Sequence, residues 1–312
     1  MIRVLLPDAP PVAGLVFRFY SGDEELPALM ALRAAIAADA EAGWMPTEDQ
    51  FECDADDIPF PKRDCLIAQI SGEFVGFTWL NHWIDRPDKH VYLLRAFLHP
   101  AYRRKHIGRA ILHWQENHAR SLHHALHAVA PFEFAANADD NQPSLRALLD
   151  SEGYHIGSTM IRLARNDLDH IPPVPLPPGF EIRPIQSDQL SQVWQLIHNC
   201  LPDGDESYAE SSLCDLSLWS AAFHGDDLAG IVVNHIRNST AETPWVAVAE
   251  PFRRRGLAKA LMSHSLTTLR SRGALSATLE TSLQNPNDTL RLYQSVGYHI
   301  TKRMPRYRKP AV

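Results

Sequence analysis

Cysteine is scarce in this chain, and it is scattered. The four cysteines, Cys53, Cys65, Cys200 and Cys214, include no CxxC pair. That leaves no zinc knuckle and no dithiol redox motif, so reduced thiols are expected. Long apolar runs are missing too. Asp8 and three prolines break the apolar N-terminus MIRVLLPDAPPVAGLVFRF, and no stretch nears the ~20 residues of a membrane span. A soluble, cytoplasmic protein with no membrane partner is the expectation. Positive charge is in deficit, with Lys+Arg 30 against Asp+Glu 37 and a formal net charge of −7. A general nucleic-acid binder would show the opposite excess, so no nucleic-acid partner is expected. The phosphate-binding signatures GxxxxGK[ST] and GxGxxG are absent, as is HExxH. Among 16 histidines, His123 and His127 would share one helix face. Two such histidines make a poor metal site, and a solvated or half-buried pair is expected, with no metal bound.

What is present is a duplication. The chain of 312 residues is long enough for two domains, and it is 45% hydrophobic, enough for two ordinary cores. The proline-rich stretch IPPVPLPPG, Ile171–Gly179, divides it near the middle. Such a stretch is extended and stiff, and it reads as a linker. On either side the order of features repeats. FRFYSGDEEL matches IRPIQSDQL. Hairpins with paired glycines follow, Gly72 and Gly76 in one half and Gly225 and Gly230 in the other. Each half then has an apolar strand, a proline, an arginine cluster and a long helix. Each closes on Gly-Tyr-His-Ile, from Gly153 and from Gly297. Such agreement in order implies a duplicated domain. The domains read as 1–165 and 179–312, joined by a linker at 166–178.

The second half is the more legible. Trp245–Ala249 reads as a strand. Ala258, Leu261, Met262, Ser265 and Leu269 fall on one face of an amphipathic helix that starts near Leu257 and stops at Gly273. Another strand starts over Ala277–Leu279. Asn287 or Asp288 can cap a further helix that ends at Gly297. This alternation implies an α/β fold with a mixed sheet.

The stretch EPFRRRGLAKAL lies at the junction between strand and helix. The first backbone N–H groups of a helix lack partners and carry the positive end of its dipole, so anion oxygens fit there. Gly256 lets the backbone approach an anion, Ala258 is small, and Arg253, Arg254 and Arg255 add charge. The stretch reads as a pyrophosphate cradle built from Arg253 to Lys259 through Leu257. An exposed basic helix start is the plain alternative.

The pattern Arg253, Gly256, Ala258 resembles the coenzyme A loop, R/Q-x-x-G-x-G/A, of the GNAT superfamily of acyltransferases. NPNDTLRLYQSVGY, Asn285–Tyr298, resembles that superfamily's second signature. The resemblance covers nearly the whole chain twice. It implies two tandem GNAT-like acyl-CoA N-acyltransferase domains and direct transfer of an acetyl group from acetyl-CoA to an amine. It places the cofactor along Val246, Ala247, Val248 and Ala249, with Asn285 near the pantetheine arm. Tyr293 becomes the proton donor to the leaving thiolate. The phenol and thiol lie within about two pKa units when unperturbed. Glu242 and Glu280 are the two carboxylates considered as base, while Glu250 only trims local charge; a water chain is the other option.

The first half departs from the pattern. His106 stands where Gly256 stands, and Leu149 where Tyr293 stands. The first domain is therefore expected to be degenerate, a packing partner and wall for the cleft, with the C-terminal domain catalytic. That arrangement resembles mycothiol synthase and similar tandem members. The acidic stretch Leu201–Trp219, with Asp203, Asp205, Glu206, Glu210 and Asp215, is placed to attract a cationic amine. The basic end, TKRMPRYRK, reads as an exposed edge strand guarded by charge. A small-molecule amine is the leading substrate, in a monomer or homodimer. The alternatives are a protein N-terminus or lysine as acceptor, and a CoA-binding regulatory protein without turnover.

Overall fold

The computed structural model describes residues 3–46, 64–85, 89–127, 129–200 and 215–311. The chain forms two compact units, Met1–Ser158 with Met304–Val312, and Thr159–Arg303.

The first unit opens with β1 (Arg3–Val4), β2 (Leu15–Phe19) and α1 (Leu26–Ala37), which has a proline in its first turn. The hairpin of β3 (Leu66–Ile70) and β4 (Glu73–Asp85) follows, then β5 (Lys89–Leu98) and α2 (Ile107–His127). β6 (Phe132–Asn137), α3 (Pro143–Ser151) and the start of β7 (His155–Arg165) complete this stretch. Neighbouring strands from β1 to β5 run antiparallel, and β5 pairs with β6 in parallel. Helices cover both faces. Leu29, Leu32 and Ile36 of α1 pack with Phe77, Trp79 and Phe97. Ile107 and Ile111 of α2 pack on the other face with Leu66 and Val75.

The second unit repeats this plan with β8 (Glu181–Arg183), α4 (Leu190–Cys200), β9 (Ser220–His224) and β10 (Asp227–Arg237). β11 (Thr240–Val248), α5 (Leu257–Ser271), β12 (Ser276–Ser282) and α6 (Thr289–Ser295) follow, then β13 (His299–Pro310). Again one pair is parallel, β11 with β12, and its other neighbours are antiparallel. The expected helix over the Ala258–Leu269 face is α5. It buries Leu257, Leu261, Met262, Leu266 and Leu269, each contributing about 2 kcal/mol by burial. It ends as anticipated, with Gly273 at φ +89° and its N–H bonded to Arg270 O. The repeated second glycine of each hairpin has a steric cause. A Cβ on Gly230 would lie 2.9 Å from Leu261 Cδ1 and 3.1 Å from Ala247 O. One on Gly76 would lie 3.1 Å from Leu98 Cδ1 and Phe97 O.

Four expectations need correction. First, the compact units do not divide at the proline segment. Met160–Arg165 of β7 pair with β12, and Ile171, Leu176 and Phe180 pack on the second unit's core. Ser263 also donates to Pro172 O at 2.7 Å. The stiff segment is thus laid down on the second unit instead of spanning open space. Second, the basic C-terminal strand is not a free edge. Arg306–Pro310 pair with Asn137–Glu133 of β6, and Tyr307 is fully buried. Third, Asp288 stands at the start of α6 in a left-handed conformation and makes no capping bond; it pairs with Arg291 instead. Fourth, His123 is buried, bonded to Ala130 O at 2.8 Å and stacked on Phe132.

The C-terminal strand enters the first unit with a buried ion pair. Lys309 Nζ lies 2.8 Å from Glu116 Oε1, and the Tyr154 hydroxyl donates to the same oxygen at 3.0 Å. Removing Lys309 would leave the buried Glu116 carboxylate only Tyr154 and the longer contact to Arg120 at 3.6 Å. Lys309→Ala should therefore cost about 3 kcal/mol in denaturant unfolding, and the double change Lys309→Met with Glu116→Gln should recover most of it. Equal losses in both variants would show that strand pairing alone, not the charge pair, holds this end.

Candidate active site

The second unit's site begins where a ladder stops. β11 and β12 are paired only over Thr240–Ser276, Ala241–Ala277 and Glu242–Thr278. Beyond Glu242 the two strands part. The Ala249 N–H donates to Ala229 O, so alternation turns Ala247 and Trp245 toward β10. Val246 and Val248 then turn their backbone groups the other way, into the gap. Between the two regions the register slips, with Thr243 and Pro244 set against Asn234. This is a β-bulge, which bends a strand and increases its twist. A proline is tolerated here because its missing N–H would face the gap, where no ladder partner exists. Its presence explains why strand register could not be read from sequence around Glu242. The first unit parts in the same way after Leu93–Ala135, but its β4–β5 ladder runs without a slip.

At the end of the gap lies the Arg253–Lys259 loop. Ala249 leads into a short 3-10 turn, Glu250–Phe252, and then into Arg253 in an extended conformation. Arg254 and Gly256 both take positive φ, +63° and +84°. Gly256 precedes α5, whose start has no side-chain cap and no acidic residue in its first turn. A Cβ at Gly256 would meet no protein atom within 4 Å, so the space before the helix is open. Arg254, Arg255 and Lys259 are exposed, Ala258 is half-buried and Leu257 is buried. Arg253 differs from its expected role as a source of free charge. Its guanidinium donates to Val248 O at 2.9 Å and lies 3.4 Å from Cys200 Sγ. It pins the end of β11. The first unit repeats the loop shape with Arg104 at +59° and His106 at +61°, and its Arg103 is tied to Asp39.

Tyr293 comes from α6 and is buried. Its ring centroid lies 6.2 Å from that of Tyr298. The Tyr298 hydroxyl lies against Thr243, the bulge residue, without a hydrogen bond of good geometry. Burial pushes the Tyr293 phenol up to about 12. The gap to an ordinary thiol near 8.5 therefore exceeds the two units expected from unperturbed values. Complete proton transfer from this phenol to such a thiolate would be uphill by roughly 5 kcal/mol, so its chemistry suits a neutral hydrogen-bond donor. Asn285 is half-buried and closes a local turn, its Oδ1 accepting from Asn287 N at 3.0 Å. The Tyr293 position of the first unit is Leu149, 1% exposed.

The two carboxylates separate clearly. Glu280 is exposed and held by Arg162 through Nε at 2.9 Å and Nη2 at 2.6 Å. Glu242 lies at the last rung before the gap and meets His235 Nε2 at 2.8 Å. The Glu242 side chain is 46% exposed, while His235 is mostly buried and its Nδ1 has no hydrogen-bond partner among the described residues. His235 escaped the sequence reading. The signal was its place across the ladder from Glu242, which depends on the bulge. Of the acidic stretch, residues 201–214 lie outside the described residues, together with Asp203, Asp205, Glu206 and Glu210; Cys53 also lies outside them. Asp215 is used locally, accepting from Ser217 N and Oγ.

The residues fit a coenzyme A-like ligand on two structural grounds: an open, uncapped helix start, and a strand edge whose backbone has no ladder partner. Comparison with known proteins agrees. The model of the acetyltransferase (GNAT) family matches residues 30–148 and again 190–298. A GCN5-related N-acetyltransferase from Sphaerobacter thermophilus is similar over 98% of this chain and 97% of its own, with TM-score 0.75 and 20% identity. A tandem GNAT protein from the clavulanic acid biosynthesis pathway is similar over 96% and 99%, with TM-score 0.65 and 17% identity. A glucosamine N-acetyltransferase region of a fungal multi-domain GH3 β-N-acetylglucosaminidase is similar over 97% of this chain and 39% of that one, with TM-score 0.70 and 16% identity. No curated protein matches the chain. No helix among the described residues is long and apolar enough to cross a membrane.

Gly256→His copies the first unit's loop into the second. A non-glycine residue at φ +84° costs about 1 kcal/mol, and its side chain fills the open space before α5. Acetyl-CoA affinity should fall at least tenfold by calorimetry, and Gly256→Ala should lose less. Unchanged affinity in Gly256→His would remove His106 as the defect of the first unit.

Proposed function

The chain belongs to the acetyltransferase (GNAT) family, and from that premise we propose that its second unit acetylates a primary amine of a small molecule. The observation that carries this reading is the asymmetry between two copies of one fold. The bulge, Gly256, Tyr293 and the Glu242–His235 pair occur in the second copy alone. The donor is acetyl-CoA, which when bound supplies an acetyl group activated as a thioester.

The chain's own residues divide the remaining work. Backbone N–H groups from Arg255 to Lys259 receive the pyrophosphate, with Arg254 and Arg255 adding charge at the rim. The gap-facing backbone of Val246 and Val248 lines the pantetheine path along Val246–Ala249, and Asn285 borders it. Arg253 fixes the end of that strand by holding Val248 O. Glu242 is the base. One oxygen is engaged by His235, which sets the carboxylate's direction, and its partial exposure leaves it within reach of an incoming ammonium proton. Glu280 is not favoured, because Arg162 occupies it. Tyr293 keeps its proton on Oη and donates a hydrogen bond to negative charge as it forms on the departing sulfur, while the nitrogen's second proton passes through water to that sulfur. An acetyl acceptor on a protein remains the competing substrate class.

Three variants test these roles in an assay of CoA release over a panel of primary amines, with N-terminal and lysine peptides as separate arms. Tyr293→Phe should lower turnover about a hundredfold and leave acetyl-CoA affinity within about twofold. Glu242→Gln should lower kcat/KM about a hundredfold, while Glu280→Gln stays near the parent. Equal effects in the two glutamates would remove Glu242 as base, and peptide-only turnover would overturn the small-molecule reading.

The pH dependence follows from the direction of the Tyr293 shift. A phenol raised to about 12 stays protonated through the alkaline range, so its donor role is present below that value and lost above it. Activity should therefore show no alkaline fall below about pH 10 that Tyr293→Phe abolishes. Such a fall near pH 9 would mean that the phenol is not buried during turnover.

A further inference from the structure

The first unit holds a cation two residues along the strand from the place where the second holds its carboxylate. Asn81 stands opposite Leu93 in the β4–β5 ladder, and Arg95 opposite Trp79. Counted from the hairpin glycines Gly76 and Gly230, Asn81 occupies the place of His235. Arg95 correspondingly occupies the place of Trp245, which pairs with Val233. Leu93 thus stands in the place of Glu242, and the Arg95 guanidinium reaches Asn81, which stands in the place of His235.

Arg95 is built in, not loosely attached. Its Nη1 donates to Asn81 Oδ1 at 2.5 Å, and its guanidinium carbon lies 4.0 Å from the centroid of the Trp44 ring. Its own backbone carbonyl accepts from Gln115 Nε2 at 3.0 Å. Among the described residues no carboxylate pairs with it, and the charge that reaches it is that of another cation, Arg306. Burial, with this like charge added, pulls the guanidinium down to about 10. A partly desolvated cation beside a second cation is costly unless an anion joins it. Asn81 occupies one corner of the guanidinium and Trp44 covers one face. The Nη2 and Nε edge has no partner among the described residues, and two parallel N–H groups match the two oxygens of a carboxylate.

We propose that the first unit binds a small-molecule carboxylate at Arg95, with Trp44 stacked on the guanidinium. The site is not a second copy of the acetyl-transfer site, because it would repel an ammonium group and offers no base. The proposal does not depend on which unit is catalytic, since binding alone defines it.

The full chain is titrated with sodium succinate by calorimetry, with saturating CoA present so that phosphate-binding loops are filled. Inorganic phosphate is titrated in a parallel arm. Saturable succinate binding is expected, with phosphate binding more weakly. Arg95→Met should weaken succinate binding at least tenfold, the loss of a charge-assisted bond, with acetyl-CoA affinity unchanged. Succinate should raise the melting temperature of the parent and not of Arg95→Met. Trp44→Ala changes an exposed ring and serves if Arg95→Met does not fold; it should weaken succinate binding severalfold. No saturable binding, equal binding in Arg95→Met (or in Trp44→Ala if that variant stands alone), or tighter binding of phosphate than of succinate would each overturn the proposal.

Discussion

Two parallel strands that stop pairing are the constraint from which the rest of the site follows. A buried strand edge with unmet N–H and C=O groups is expensive, so such an edge persists only where something can satisfy it. Beyond Glu242 and Thr278 the two strands no longer pair with each other, and Val248 O is met by Arg253 instead. The bulge at Thr243 and Pro244 fixes which backbone groups face inward. The loop after β11 then delivers the uncapped start of α5 to the end of the same gap. A ligand with an amide-rich arm and a pyrophosphate answers both needs at once. Charge at Arg254 and Arg255 is secondary to that geometry.

The repeat makes the case sharper than one copy would. Both units part their strands, turn through a left-handed arginine and enter a long helix. The shared features therefore belong to the fold, and the proposed division of roles rests on what differs. What differs is small: one residue of strand register, a glycine against a histidine, a tyrosine against a leucine, and one cross-strand pair. Only the tyrosine–leucine difference reaches a core, and there both side chains are buried, so the fold persists in both copies.

Much of this was legible in the sequence, and the limits have physical reasons. Helix α5, its stop at Gly273 and the turn at Gly256 rest on local periodicity and backbone freedom, which neighbouring residues reveal. The pairing of His235 with Glu242 does not, because a single extra residue in β11 changes every cross-strand partner beyond it. The division of β7 and β13 between the compact units was equally hidden. A basic strand such as TKRMPRYRK looks like a guarded edge until its partner strand is known, and that partner lies far away in sequence. Arg253 was legible as a charge but not as a brace, since its acceptor is a backbone carbonyl.

Electrostatics explains why the two copies need not compete for one substrate. A corner with Glu242 and His235 favours a group that arrives as an ammonium ion and leaves neutral. A corner with Arg95 beside the Arg306 charge disfavours that same group by like-charge repulsion, and burial strengthens the effect by removing screening water. On the roles proposed above, restoring a glycine and a tyrosine to the first unit would still leave it without the Glu242–His235 pair, since Leu93 and Asn81 stand there. Arg95 adds a like charge close by, so on the same roles the two copies differ at the acceptor side as well as at His106 and Leu149.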